Sequence, residues 1–170
     1  SDMDALRHVL VAPPPEGAID SPRACFEMLE ALDASLADSS TLDRAVLGGF
    51  VADRLGYAFL AGYRAALARV DPALSRASLC ATESGGAHPR AIATRLEPRG
   101  DGFALNGEKT FATLASSAAT LLVVASTGHG DDPASGGRNS LQVARIPADR
   151  AGITITDREP VAFAPEIPHA

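Results

Sequence analysis

Between Ala45 and Val70 the apolar residues Leu47, Val51, Leu55, Phe59, Tyr63 and Leu67 recur every four positions. That interval lays them along one stripe of a helix. Gly48, Gly49, Gly56 and Gly62 interrupt the same stretch, each weakening a helix by about 1 kcal/mol relative to alanine. So many glycines predict close packing against a neighbour or a ligand. A second helix is predicted from Ser21 through Leu36, with Ser21 as N-cap and Pro22 at the first helical position. The proline-rich stretch APPPEG separates it from a short opening helix around Asp4 to Val11.

Near Val70 the pattern changes. Short apolar runs between turns now predict strands at 78–81, 91–97, 102–105, 108–113, 121–126, 140–146 and 153–156. Their regular spacing points to an antiparallel sandwich or barrel rather than to parallel βαβ units. The polar stretch TGHGDDPASGGRNS reads as a long mobile connection, and no internal repeat is present. Helices followed by a sheet define an α+β chain, divided at residues 3–75 and 76–170.

The totals narrow the picture. A chain of 170 residues suits one domain or two small ones. Its 46% hydrophobic and 21% charged residues are those of an ordinary globular protein. The net charge of −6, without a basic run, argues against nucleic acid. Asp53, Arg54 and Arg64 break the most apolar region, so a membrane-spanning helix is not expected. Cys25 and Cys80 have no metal-type spacing and read as two thiols of a reducing compartment. Together with the lack of a secretory leader pattern, this predicts a cytoplasmic protein.

Candidate chemistry lies between Ser78 and Ala118. Asn106-Gly107 favours a two-residue type I′ hairpin turn. On the strand leaving it, Lys109, Phe111 and Thr113 would share one face, and Glu108, Thr110 and Ala112 the other. An aromatic ring and a hydroxyl on one face suit a planar ligand, through stacking and hydrogen bonding. Cys80-Ala81-Thr82-Glu83-Ser84-Gly85-Gly86 runs from a strand into a glycine-rich turn, where backbone N–H groups need partners. The pyrimidine edge of a flavin offers acceptor, donor and acceptor in a row, which would suit these backbone groups and the Thr82 hydroxyl. Glu83 is expected to bond backbone donors at the turn. Lys109 reads as a solvated hairpin charge. The GGAHP turn is no dinucleotide fingerprint, since it opens no helix and lacks the spacing.

LCATESGG followed by GDGFALNGEKTFATLASSAATLLVVAS resembles the middle domain of the acyl-CoA dehydrogenases. The family pattern there is a strand into Thr-Glu-Pro-Gly-Ala-Gly-Ser-Asp, then Asn-Gly-x-Lys-x-Trp/Phe-x-Thr. The resemblance covers about Ala77 to Ile155. It implies that Thr82 and the backbone around Ala81 bond the flavin pyrimidine edge, that Phe111 stacks near the ring, and that the Thr113 hydroxyl approaches N5. Ala87 and His88 fall where the family has Gly-Ser near the cofactor pyrophosphate. The implied cofactor is FAD, and the implied reaction is α,β-desaturation of an acyl-CoA thioester. Implied partners are the acyl-CoA substrate, an electron-transfer flavoprotein and further copies of the chain in a homodimer or homotetramer.

The sequence departs from the pattern at Ser84, which replaces proline, and at His88-Pro89, which replaces Ser-Asp. The family's C-terminal helical bundle has no counterpart here. The catalytic base is therefore expected beyond residue 170, together with the last strand of the sheet, as in a segment of a longer enzyme. Two other readings remain open: a non-catalytic relative that binds a partner or CoA ester, and a flavin monooxygenase of the same fold.

Overall fold

A computed structural model describes residues 4–11, 17–36, 38–129 and 139–170. Contacts divide the chain into two compact units, Ser1–Arg76 with Pro160–Ile167, and Ala77–Glu159 with Pro168–Ala170.

Among the described residues the first unit holds four α-helices: α1 (Asp4–Val11), α2 (Pro22–Ser35), α3 (Thr41–Val51) and α4 (Leu55–Val70). The start of α2 is as expected, with the Ser21 hydroxyl accepting from the Ala24 N–H at 3.1 Å and proline inside the first turn. Ser40 and Asp43 form a capping box at α3. The glycine-studded stripe is corrected. It is cut at 52–54 into α3 and α4, and Leu55 and Phe59 are exposed, at 65% and 47%. A repeat of four advances about 400° around a helix turning about 100° per residue, so it drifts off any one face. The buried face of α4 is instead Gly56, Tyr57, Leu60, Ala61, Arg64, Ala65 and Leu67. The expectation of close packing holds at Gly48, where a Cβ would fall 2.7 Å from Leu29 Cδ2 and 2.9 Å from Ala61 Cβ. It holds again at Gly56, whose N–H donates to the Glu166 carboxylate at 2.7 Å.

Among the described residues the second unit is a five-stranded mixed sheet of β1 (Ala77–Cys80), β2 (Arg95–Arg99), β3 (Gly102–Asn106), β4 (Thr120–His129) and β5 (Asn139–Pro147). The α+β expectation holds. The sheet departs from an all-antiparallel one in that β1 runs parallel to β4 over Ala77–Cys80, and β2 meets β4 in parallel at Arg95 and Ser126. β2–β3 and β4–β5 are antiparallel. The sheet's core cluster is Cys80, Ala112, Ala115, Leu121 and Val123.

Two predicted strands are absent among the described residues, those at 108–113 and 153–156. Ile153 and Ile155 still pack on the core, keeping the apolar alternation without a ladder. The expected Asn106-Gly107 hairpin turn is also corrected: the β2–β3 connection falls at Gly100-Asp101, and β3 ends at Asn106. Gly107 is required for a different reason, since a Cβ there would lie 2.6 Å from the Thr94 Cα. Most of the polar connection after β4, residues 130–138, and most of the proline-rich separator, residues 12–16, lie outside the described residues.

Candidate functional site

After Gly107 the chain leaves the sheet and lies beside the segment that follows β1. Hydrogen bonds join the two stretches. The Thr110 N–H donates to the Thr82 carbonyl at 2.9 Å, the Ser78 hydroxyl donates to the Thr113 carbonyl at 2.7 Å, and the Lys109 ammonium donates to the Ala81 carbonyl at 3.3 Å. The residues singled out at Ala81, Thr82, Phe111 and Thr113 therefore stand on two adjacent stretches. Ala87 and His88 lie further along, on an exposed loop. The His88 Nδ1 accepts from the Arg90 N–H at 3.2 Å, capping the short 3-10 turn Pro89–Ala91.

Glu83 pins this arrangement from below. Its carboxylate accepts from the Ala93 N–H at 2.7 Å, the Thr94 N–H at 3.0 Å, the Thr94 hydroxyl at 2.6 Å and the Lys109 ammonium at 2.6 Å. The structural role expected for Glu83 is thus observed, with donors drawn from residues 93–94. Lys109 is corrected: it is no solvated charge, since its side chain is 9% exposed and paired with Glu83. Burial alone would raise the Glu83 carboxyl, but the hydrogen bonds from Lys109, Thr94 and the two amides outweigh it and hold it at about 2. Glu83 is ionised and fully engaged, so it is unsuited to act as a base.

The other end of the site is built differently. Phe111 and Leu114 adopt left-handed backbone, with φ of 54° and 62°, a conformation that L residues hold at some cost. They bracket Thr113. The Phe111 ring is 52% exposed, unlike an ordinary core aromatic, and the Arg158 guanidinium lies 4.4 Å from its centroid. Arg158 also donates to the Thr110 hydroxyl at 2.8 Å. Residues 168–170 return along this stretch. Ala112 and Ala170 exchange backbone bonds of 2.8 and 3.2 Å, and the Leu114 N–H donates to the Pro168 carbonyl at 2.8 Å. The His169 Nδ1 then stands 3.2 Å from the Thr113 hydroxyl oxygen.

Several of these residues were not singled out from the sequence. Ser78 is fully buried and Thr94 nearly so. Neither belongs to a recognisable motif, and only the strand register brings them to the site. Arg158 and His169 sit in irregular chain, where no periodicity marks them.

A cavity of about 440 Å³ opens beside this region, between the sheet face of Leu121, Val123 and Ile146 and the segment 152–158, and Lys109 also lines it. Phe111, Thr113, Ala81 and Thr82 do not line it. The fit of a flavin therefore rests on the surface that carries those four residues. There the Thr82 hydroxyl has no hydrogen-bond partner among the described residues, and the Phe111 ring is open to solvent. A free hydroxyl on one segment and, on the other, a half-exposed ring held on left-handed backbone fit a polar-edged planar ligand. Among the described residues no group of histidine, cysteine and carboxylate side chains could hold a metal, and no helix is long and apolar enough to cross a membrane.

The family model for the acyl-CoA dehydrogenase middle domain matches residues 78–167. A probable acyl-CoA dehydrogenase of Bacillus subtilis strain 168, YngJ, is 37% identical over 75 residues, covering 44% of this chain and 17% of that protein. The solved acyl-CoA dehydrogenase of Geobacillus kaustophilus superposes with a TM-score of 0.62 at 17% identity, covering 85% of this chain and 45% of the other. The FAD complex of PigA superposes with a TM-score of 0.68 at 16% identity, covering 99% of this chain and 49% of the other. The chain thus spans about half the length of these solved structures, and less of the curated relative.

Proposed function

Because this chain belongs to the acyl-CoA dehydrogenase family, we propose that it forms the flavin-holding part of an FAD-dependent oxidoreductase that desaturates an acyl-CoA thioester between Cα and Cβ. In that enzyme residues 3–75 are the helical part and 76–170 the β part. The observation that carries the reading is the side-by-side placement of the Thr82 and Phe111–Thr113 segments, tied by the Thr110–Thr82 and Ser78–Thr113 bonds. The solved neighbour described as an FAD complex supports FAD as the flavin.

In this reading Thr82 and the backbone around Ala81 hold the polar edge of the cofactor, Phe111 lies against its ring, and Thr113 offers a hydroxyl to the reacting nitrogen. Ala87 and His88 would be the residues nearest its pyrophosphate. When bound, the flavin supplies a hydride acceptor, which no amino-acid side chain provides. The chain's own residues orient and polarise. Glu83 and Lys109 fix the spacing of the two segments, and Thr113 places one hydrogen bond where charge develops. The α-proton is assigned to a base outside these residues, since Glu83 is occupied. The acyl-CoA, an electron-transfer flavoprotein as electron acceptor, and a homodimeric or homotetrameric assembly complete the proposal.

The test is the visible spectrum of the intact protein purified with added FAD. Flavin bands that persist through gel filtration and bleach on addition of acyl-CoA support it; a colourless protein overturns it. The Arg158 guanidinium over Phe111 favours a second reading, a non-catalytic binding relative. That reading expects flavin to stay oxidised with every acyl-CoA of a chain-length panel.

A further inference from the structure

Thr113 and His169 are 56 positions apart, yet their side chains meet at 3.2 Å. We infer that His169 is a positioning residue that sets the hydrogen-bond polarity of the Thr113 hydroxyl, and that it thereby governs which protonation state of a ligand nitrogen the site accepts. The inference rests on the flavin reading for the identity of that ligand, but the coupling itself belongs to the protein alone.

A threonine hydroxyl has one proton and two acceptor lone pairs. When the His169 Nδ1 is bare, it accepts the Thr113 proton, and the hydroxyl can present only lone pairs to a ligand. When Nδ1 carries a proton, as in the imidazolium or the Nδ1–H tautomer, it donates to the Thr113 oxygen. The hydroxyl proton is then free to turn outward. A ligand ring nitrogen without a proton needs the second arrangement, and one with a proton needs the first. Flavin N5 changes between these two kinds on reduction, so the imidazole can match the site to either oxidation state by moving one proton.

The geometry makes this pairing persistent. The His169 carbonyl accepts from the Arg158 N–H at 2.7 Å, and the backbone on either side is laddered to residues 112 and 114. The left-handed residues Phe111 and Leu114 restrict Thr113 from both sides. Residues 111–114 bring no charged side chain to the imidazole. On the other flank the charged residues are Asp157 and Arg158, and the Arg158 guanidinium is directed at Thr110 and the Phe111 ring.

Two measurements separate this inference from the flavin reading. The first needs no cofactor. In the intact protein carrying isotopically labelled histidine, nuclear magnetic resonance follows protonation of the His169 ring nitrogens. Thr113→Val is expected to shift that titration, and Thr113→Ser to restore the parent curve. Identical curves for all three proteins overturn the inference, whatever the flavin does. The second is FAD affinity as a function of pH. In the parent the Kd is expected to change about five- to tenfold between about pH 5 and pH 8, and in His169→Gln to stay flat. A step of undiminished size in His169→Gln overturns the inference. His169→Asn serves if the glutamine variant fails to fold. Should FAD bind at no pH while the Thr113 variants still shift the histidine titration, the proposed function falls and the coupling stands.

Discussion

The two ends of the candidate site hold their residues by opposite means. Around Glu83 the side chains are buried, and one carboxylate collects four donors from residues 93, 94 and 109. Around Thr113 the aromatic neighbour is half in solvent, the backbone is left-handed at two positions, and the hydroxyl has one side-chain partner. A fully satisfied polar network rigidifies what it joins, whereas strained backbone persists only because its surroundings impose it. The first end is therefore built to fix distance. The second is held by imposed backbone conformation and a single side-chain contact, with no saturated network around it.

The largest effect should come from breaking the rigid end. Lys109→Met leaves a buried carboxylate without its counter-charge and is expected to cost about 3–5 kcal/mol, read as a lower denaturation midpoint. The double variant Glu83→Gln, Lys109→Met should recover part of that loss. If the single and double variants are equally damaged, the pair is not the clasp described above. A smaller effect should follow from acid. The Glu83 carboxyl is held at about 2, below its ordinary 4.5, so its contribution to stability is complete above that ordinary value. It should fade as pH falls from about 4.5 toward 2. Stability of Glu83→Gln over that window should vary less than that of the parent. The smallest effect is expected at the strained end. In Phe111→Gly, relief of the left-handed φ offsets the lost stacking with Arg158, so stability should move by less than about 1 kcal/mol. FAD affinity should fall clearly in the same variant. A large stability loss there would erase the contrast between the two ends.

What was legible in the sequence follows the range of the interactions. The start of α2 is written locally in Ser21-Pro22, and its cap is as expected. The pairing of residues 78–83 with 109–113 was legible only as a combined motif, because neither stretch alone has a distinctive spacing. Asn106-Gly107 misled, since the dipeptide has two uses. It can turn a hairpin, but here the glycine lets the backbone pass close to Thr94, a neighbour fixed by strand register rather than by nearby sequence. Lys109 was misread for the same reason: its partner lies 26 residues away. His169 gave no signal, because its role depends on a chain return that no local pattern encodes.

That return also bears on the timing of synthesis. Thr113 leaves the ribosome well before the strap formed by Pro168, His169 and Ala170 can dock alongside it. Until then the nascent polypeptide lacks the imidazole that stands beside that hydroxyl. Docking of those three residues is thus a separate event from the making of the segment they secure, and it must come after it.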